Sequence, residues 1–378
     1  MEKILYFLLI INPLLSVLLD AKFDYYRFLS LIILSIVTFL MFKREKMIKY
    51  IIIILSFFLI CFAINFNSMY SIGKYFNHTV WILNFIVLLI YFSNESNIKG
   101  LYRYIDRYYK NIAFMILGIN VFEFILIITK KGFVYQWEGT YFKGSNSMPH
   151  TAAYLMIVLI SMIMVLYEIR RQKKIILLSI LPIIIIMLTG ARASLGILAI
   201  LILVFILRNK LIIKSCIISI ITLIIGADYI KEIPVTKKFL RQIEYGQFSS
   251  GRDLMTDIQL EYFNQGSRLQ KIIGVGPDKT YLMNSIYYGL EVWAHNDLIQ
   301  VLVGYGYIGV IIYMFAIVYF LLAHIKRGNI LESILIVIGL MFLAVSNGLY
   351  SYSAITLAIP ILSVLLYSKN NRYNIDKS

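Results

Sequence analysis

Charge is scarce in this sequence, and acid is scarcer than base. Only 15% of its 378 residues are charged, with 36 Lys and Arg against 20 Asp and Glu. Soluble domains carry about 25% charged and about 45–50% apolar residues. Here 60% are hydrophobic and the mean hydropathy is +0.80, which excludes an ordinary water-soluble globule. Cysteine is almost absent: Cys61 and Cys216 each sit in an apolar run, with no metal-ligand spacing. No internal repeat is visible, so the paired halves of many transporters find no support. No cleavable-leader pattern is visible either, and none is expected. The first apolar run begins at Ile4 without a small-residue cleavage site and reads as an uncleaved anchor.

What is abundant is apolar sequence in runs of about 15–20 residues separated by short charged breaks, the mark of many spanning helices. About twelve spans are expected, near 4–19, 27–42, 50–66, 78–92, 112–129, 151–168, 175–189, 194–207, 211–228, 305–324, 330–347 and 352–368. The expected fold is an all-α polytopic membrane protein with one long extracytoplasmic loop before the tenth span. Residues 1–228 would hold spans one to nine, 229–294 the loop with short helices, and 295–378 the last three spans.

Lysine and arginine set the orientation. With the amino terminus inside, the inner segments carry about twenty cations, among them Lys43, Arg44, Lys46, Lys49, Lys99, Arg103 and Arg107; the short outer loops carry seven. Cytoplasmic loops should hold this excess. Both termini are then cytoplasmic. The net charge of +16 calls for no nucleic acid, because much of it orients helices and faces anionic membrane lipid.

The 229–294 stretch is the one long polar segment, and loops of that length are usually functional or disordered. Leu254, Met255, Ile258 and Tyr262 follow Ser250-Gly251-Arg252 with the spacing of one helical face, Ser250 placed as N-cap and Arg252 in the first turn. Gly274-Val275-Gly276-Pro277-Asp278 reads as a turn, since a dinucleotide fingerprint needs a third glycine and a following helix.

The loop ends at Trp293-Ala294-His295-Asn296-Asp297, on the threshold of an apolar span. Asn296 or Asp297 can cap that helix. His295 has two readings: an idle interfacial side chain, or a neutral imidazole serving as a base, since its ordinary pKa is about 6.5. Gly304, Gly306 and Gly309 follow; they suit helix packing through small residues, or a break between a short helix and the span proper.

A second candidate is Thr189-Gly190-Ala191-Arg192-Ala193-Ser194, a tight outer connection. Arg192 either snorkels to lipid headgroups or presents a planar fork to phosphate oxygens. The outer loop 130–150, with Trp137 and His150, supplies aromatics that can stack on sugars or form an interfacial belt. His78 and His324 read as structural, and the sequon Asn77-His78-Thr79 is too cheap a match to use. Glu123, inside a span, is either a buried hydrogen-bonded group or a substrate contact.

Arg192 in GARAS, Arg252 in SSGRDL and His295 in AHNDLIQVLVGYGYIG together resemble the O-antigen ligase and O-antigen and capsular polysaccharide polymerase superfamily. The likeness covers about residues 139–320. It includes the pattern His295-Asn296, Leu298, Leu302, Gly306 and Gly309 after a long external loop. The first five spans match in hydropathy only.

The resemblance implies a metal-independent, cofactor-free membrane glycosyltransferase in the bacterial inner membrane. It implies a glycan donor on undecaprenyl diphosphate, Arg192 and Arg252 as diphosphate clamps, and His295 as base. Trp137, His150, Trp293, Asn296 and Asp297 would line the substrate. The acceptor is another lipid-linked repeat unit in a polymerase, or lipid A-core in a ligase; the polymerase is the preferred expectation. A flippase and a chain-length regulator of the same pathway are the implied partners. The contrasting class is a polysaccharide transporter, which should place ionisable groups along a mid-membrane path. Here the strongest polar candidates sit at the outer rim.

Overall fold

The computed structural model describes residues 1–19, 25–136, 139–209, 233–245 and 252–368. The first half contains α1 (Glu2–Leu19), α2 (Tyr25–Phe42), α3 (Glu45–Asn65), α4 (Ile72–Phe92), α5 (Glu95–Arg107) and α6 (Tyr109–Ile128). A two-stranded antiparallel hairpin follows, β1 (Phe133–Gln136) and β2 (Gly139–Phe142), with Phe133 opposite Phe142. Then come α7 (Pro149–Arg170), α8 (Lys173–Leu177), α9 (Ile180–Thr189) and α10 (Arg192–Asn209).

Four helices occupy the long polar stretch: α11 (Pro234–Tyr245), α12 (Arg252–Gln265), α13 (Arg268–Ile273) and α14 (Lys279–Tyr288). The chain closes with α15 (Asp297–Ile325), α16 (Ile330–Ser346), α17 (Ser353–Thr356) and α18 (Ile359–Ser368).

The chain is an all-α membrane protein. Among the described residues, seven helices are long and apolar enough to cross a bilayer: α1, the apolar part of α3, α4, α6, α7, α10 and α15. The apolar α2, α16 and α18 are shorter. Each span expected within the described residues coincides with helix, although 175–189 is split between α8 and α9, and 352–368 between α17 and α18. The expected span 211–228 lies outside the described residues. The polar α5 was not anticipated: Ile98, Leu101 and Ile105 face the core while Lys99, Arg103 and Arg107 point out.

Burial ranks the helices. α7 is 89% buried along its apolar window and α4 is 78%, whereas α3 and α6 are each 28%. α7 and α4 are therefore the axis, and the more exposed helices present one face to lipid. α9 and α18 pack on α7, while α2 and α15 pack on α4. Small residues on α7, Ala152, Ala153 and Ser161, permit that close surround.

Gly306 breaks α15 near its amino-terminal end, with φ 66° and ψ −166°. The carbonyls of Val303 and Gly304 accept instead from the backbone N–H groups of Val275 (2.9 Å) and Gly276 (3.1 Å). A Cβ on Gly306 would lie 2.4 Å from the Ile272 carbonyl carbon, and one on Gly274 would lie 2.3 Å from that of Gly304. These glycines thus separate a short helix from the span, and they admit a loop main chain against the break. Packing of two regular helices is not their role.

The loop is tied down elsewhere. Cys61 Sγ donates to the Ile273 carbonyl across 3.5 Å. Buried Asp278 accepts from the backbone N–H groups of Tyr70 (2.5 Å) and Ser71 (2.9 Å) at the start of α4. The turn expected at 274–278 is present, with positive φ at Gly274 and Gly276.

The helix expected from Arg252 is present as well, but rotated from the expected face. Leu254 and Tyr262 are exposed, whereas Gln259 and Phe263 are buried. Phe263 joins Val275, Met283 and Val303 in a small core, and Gln259 Nε2 donates to Asn284 Oδ1 at 3.0 Å. Those contacts to α14 and α15 set the rotation; the apolar spacing does not.

Candidate functional site

The threshold residues divide their labour. Asn296 is the N-cap of α15: its Oδ1 accepts from the N–H groups of Leu298 (3.0 Å) and Ile299 (3.3 Å). Asp297 is fully buried. Its Oδ2 accepts from the N–H groups of Leu349 (2.8 Å) and Tyr350 (3.0 Å) and from the Tyr313 hydroxyl (3.1 Å). It therefore pins the α16–α17 connection onto the start of α15. Both residues expected to line substrate are engaged in holding the start of α15 in place.

His295 precedes them with φ 53°, a left-handed conformation rarely taken by a side-chain-bearing residue and costing on the order of 1–3 kcal/mol. Its ring lies 4.7 Å from that of Trp293, centroid to centroid. Gly348 makes room for Trp293, since a Cβ there would fall 2.5 Å from the indole Cζ3. Asn347, the C-cap of α16, lies beside the imidazole, close enough to influence its protonation. His295 Nδ1 is buried and has no hydrogen-bond partner among the described residues.

Asn347 also reaches the first arginine. Arg252 Nη2 donates to Asn347 Oδ1 at 2.9 Å, and Arg252 Nη1 donates to the Ser346 carbonyl. Asn347 Nδ2 donates in turn to the Tyr154 hydroxyl at 2.8 Å. The two acceptors of Arg252 are neutral, so its charge stays available to an anion. Burial holds its guanidinium below the ordinary value.

Arg192 opens α10 after a tight turn. Gly190 has φ 67°, and the space a Cβ would need is filled by Tyr141, whose Cε1 would be 2.5 Å away. Ala191 N–H donates to Thr189 Oγ1 at 3.2 Å, closing the turn. Arg192 and Arg252 lie within electrostatic reach of each other.

Lys238, on α11, stands 5.4 Å above the Tyr141 ring and feels both arginines. Burial first, then Arg192 and Arg252, bring its ammonium down to about 8. His150, at the start of α7, faces Lys238, Arg252, His295 and Arg192 together. For His295, burial and then Arg252 lower the pKa to about 4, against the opposing influence of Asn347. At neutral pH the cluster holds three cations beside a neutral imidazole able to accept a proton.

Arg192, Arg252, His295, His150 and Trp293 thus come together, from positions far apart in the chain. Trp137 lies outside the described residues. Lys238, Asn347 and Tyr154 join the site without having been singled out from the sequence. Asn347-Gly348 carried a turn signal, and Lys238 carried none.

Glu123 proves to be the buried hydrogen-bonded group, accepting from Ser145 Oγ at 2.7 Å. Asn77 is buried within α4. Buried His78 meets the Tyr281 hydroxyl at 2.8 Å. Among the described residues, no group of three or more His, Cys, Asp or Glu could hold a metal ion. No protein-family model and no curated protein matches the chain, so its function must be read from this cluster.

Proposed function

We propose that the protein is a polysaccharide polymerase of the bacterial inner membrane. It crosses the membrane about twelve times with both termini cytoplasmic. It moves an O-antigen or capsule glycan from undecaprenyl diphosphate to a sugar hydroxyl on another lipid-linked repeat unit. The observation that carries this reading is the placing of His295 within the influence of Arg252 and of Asn347, which Arg252 binds, beside a cluster of Arg192, Arg252 and Lys238. Three cations gathered within electrostatic reach of one another suit a multiply charged anion, and a diphosphate has the charge for it.

The chemistry then follows. His295 takes the proton of the acceptor hydroxyl. The hydroxyl oxygen attacks the anomeric carbon as its bond to diphosphate breaks, and the bonding electrons leave with the diphosphate. Arg192, Arg252 and Lys238 stabilise the negative charge that grows there, the kind of preorganised field that is often the largest catalytic term. Attack opposite the leaving group inverts the anomeric centre. Cleavage of the diphosphate linkage supplies the driving force, so no nucleotide is needed.

The test is reconstitution in vesicles with undecaprenyl-diphosphate-linked repeat units. Chain growth with release of undecaprenyl diphosphate is expected, falling ~10²–10⁴-fold in His295→Ala. Transfer only to lipid A-core would make the protein a ligase. Movement of unchanged substrate across the bilayer would make it a transporter. Undiminished product with His295→Ala would remove His295 as base.

A further inference from the structure

Beside His295, on the side of Trp293, lies a second polar and aromatic group. Tyr70 OH donates to Glu291 Oε1 at 2.7 Å, and Lys74 pairs with the same carboxylate. The Lys74 ammonium sits 4.6 Å from the centroid of the Tyr281 ring. These side chains come from the start of α4, from α14 and from the segment leading to His295. Tyr70 is 39% exposed and the Glu291 side chain 49%, and an exposed ion pair contributes only about 0–1 kcal/mol. Docking of the loop on α4 is already achieved by buried Asp278, so this group is not required for that purpose.

The aromatic part is held rigidly. The Tyr281 hydroxyl is fixed by buried His78 at 2.8 Å, and His78 packs edge-on against Tyr281 with centroids 5.5 Å apart. His78 also lies 6.3 Å from Trp293, whose far side rests on Gly348. Contacts therefore run from His295 to Trp293 and, through His78, on to Tyr281 with Lys74 and Glu291. The neighbourhood of the base thus continues into a shelf, a set of rings bordered by a carboxylate, an ammonium and a phenol.

We propose that this shelf, Tyr70, Lys74, Tyr281, Glu291 and Trp293, is the seat of the acceptor saccharide. The proposal rests on the reading of the cationic cluster as the donor's diphosphate seat. A pyranose presents an apolar C–H face to a ring and hydroxyls around its edge. Trp293 and Tyr281 suit the face. The Glu291 carboxylate accepts from hydroxyls and the Lys74 ammonium donates to them, both as charge-assisted bonds. A sugar placed there brings a hydroxyl up to His295 past Trp293, whose ring lies 4.7 Å from the imidazole.

The experiment titrates acceptor repeat unit at saturating donor, using Glu291→Gln, Tyr281→Ala and Trp293→Ala. Acceptor KM is expected to rise about tenfold or more in each, with donor KM within about twofold of wild type. Glu291→Gln alters an exposed carboxylate and keeps the test alive if a ring deletion fails to fold. Unchanged acceptor KM in Glu291→Gln and Tyr281→Ala, or an equal rise in donor KM, overturns the proposal.

A parallel titration follows tryptophan fluorescence as carrier-free repeat-unit oligosaccharide is added to the unreacted protein. Quenching in wild type that is weakened by Glu291→Gln supports the shelf even if wild type transfers no sugar, an outcome that would defeat the polymerase reading alone. Absence of saccharide binding in wild type overturns the shelf itself.

Discussion

Arg252 reaches Asn347 across 2.9 Å, and the same carboxamide lies beside His295, so that on the proposed mechanism one neutral side chain couples the diphosphate-holding guanidinium to the base. Asn347→Ala should uncouple them and free the Tyr154 hydroxyl as well. Turnover is expected to fall ~10–100-fold, the cost of misplacing a reacting group by about an ångström. Single-turnover transfer measured beside donor binding checks this. Weakened binding with an unchanged transfer step would mean that Asn347 only holds Arg252.

On the proposed mechanism, acid should leave transfer intact further down the pH scale than an ordinary histidine allows. The base must be neutral imidazole, and His295 is brought from 6.5 to about 4. The acidic limb of kcat/KM, which reports the free enzyme, should lie near the lower value. The stability linkage has a matching sign. Because the folded value is below the unfolded one, the contribution of His295 is complete above pH 6.5 and declines as pH falls towards 4. His295→Gln should flatten that decline in a thermal-stability series against pH.

Base should weaken donor capture for a different reason. The Lys238 ammonium, brought down to about 8, is lost as pH rises through that value, and a third of the cluster's cationic charge goes with it. kcat/KM for the donor should fall above pH 8. Lys238→Arg should move that limb upward, while Lys238→Gln should abolish it and lower donor affinity at every pH.

The arginines should not be exchangeable for lysine. Arg252 spreads its fork over the Ser346 carbonyl and Asn347 Oδ1 while carrying charge to the site, and a single ammonium cannot do both. Arg252→Lys and Arg192→Gln are each expected to lower kcat ~10²–10³-fold, the scale of deleting one donor to a developing oxyanion. Isothermal titration with inorganic diphosphate would separate lost affinity from lost turnover.

The glycines at the helix break carry the fold. Gly306 holds φ 66°, and a Cβ there would strike the Ile272 carbonyl. Gly306→Ala should cost at least about 1–3 kcal/mol and loosen the 272–277 segment. Thermal unfolding in detergent, with hydrogen exchange at Val275 and Gly276, measures both.

Much of this architecture was legible from residue order. Apolar run length located the helices, and the threshold at His295-Asn296-Asp297 showed where a cap would stand. Of the three residues singled out for chemistry, Arg252 lies within electrostatic reach of both Arg192 and His295, and His150 feels all three. What stayed hidden depends on packing between distant segments. Asn347 matters because Arg252, 95 positions away, folds onto it. Lys238 matters because Tyr141 holds it over the Arg192 turn. The face of α12 could not be read from spacing, since Phe263 and Gln259 answer to partners on α14 and α15. Helical periodicity states that a face exists and is silent on which neighbour claims it.

A structure determined in lipid nanodiscs with undecaprenyl diphosphate bound reaches the heart of the matter. The phosphate oxygens should sit within hydrogen-bonding distance of Arg192 and Arg252, with Lys238 alongside and His295 Nδ1 facing the vacant sugar position. A diphosphate bound elsewhere, or those side chains turned away from it, would contradict the mechanism.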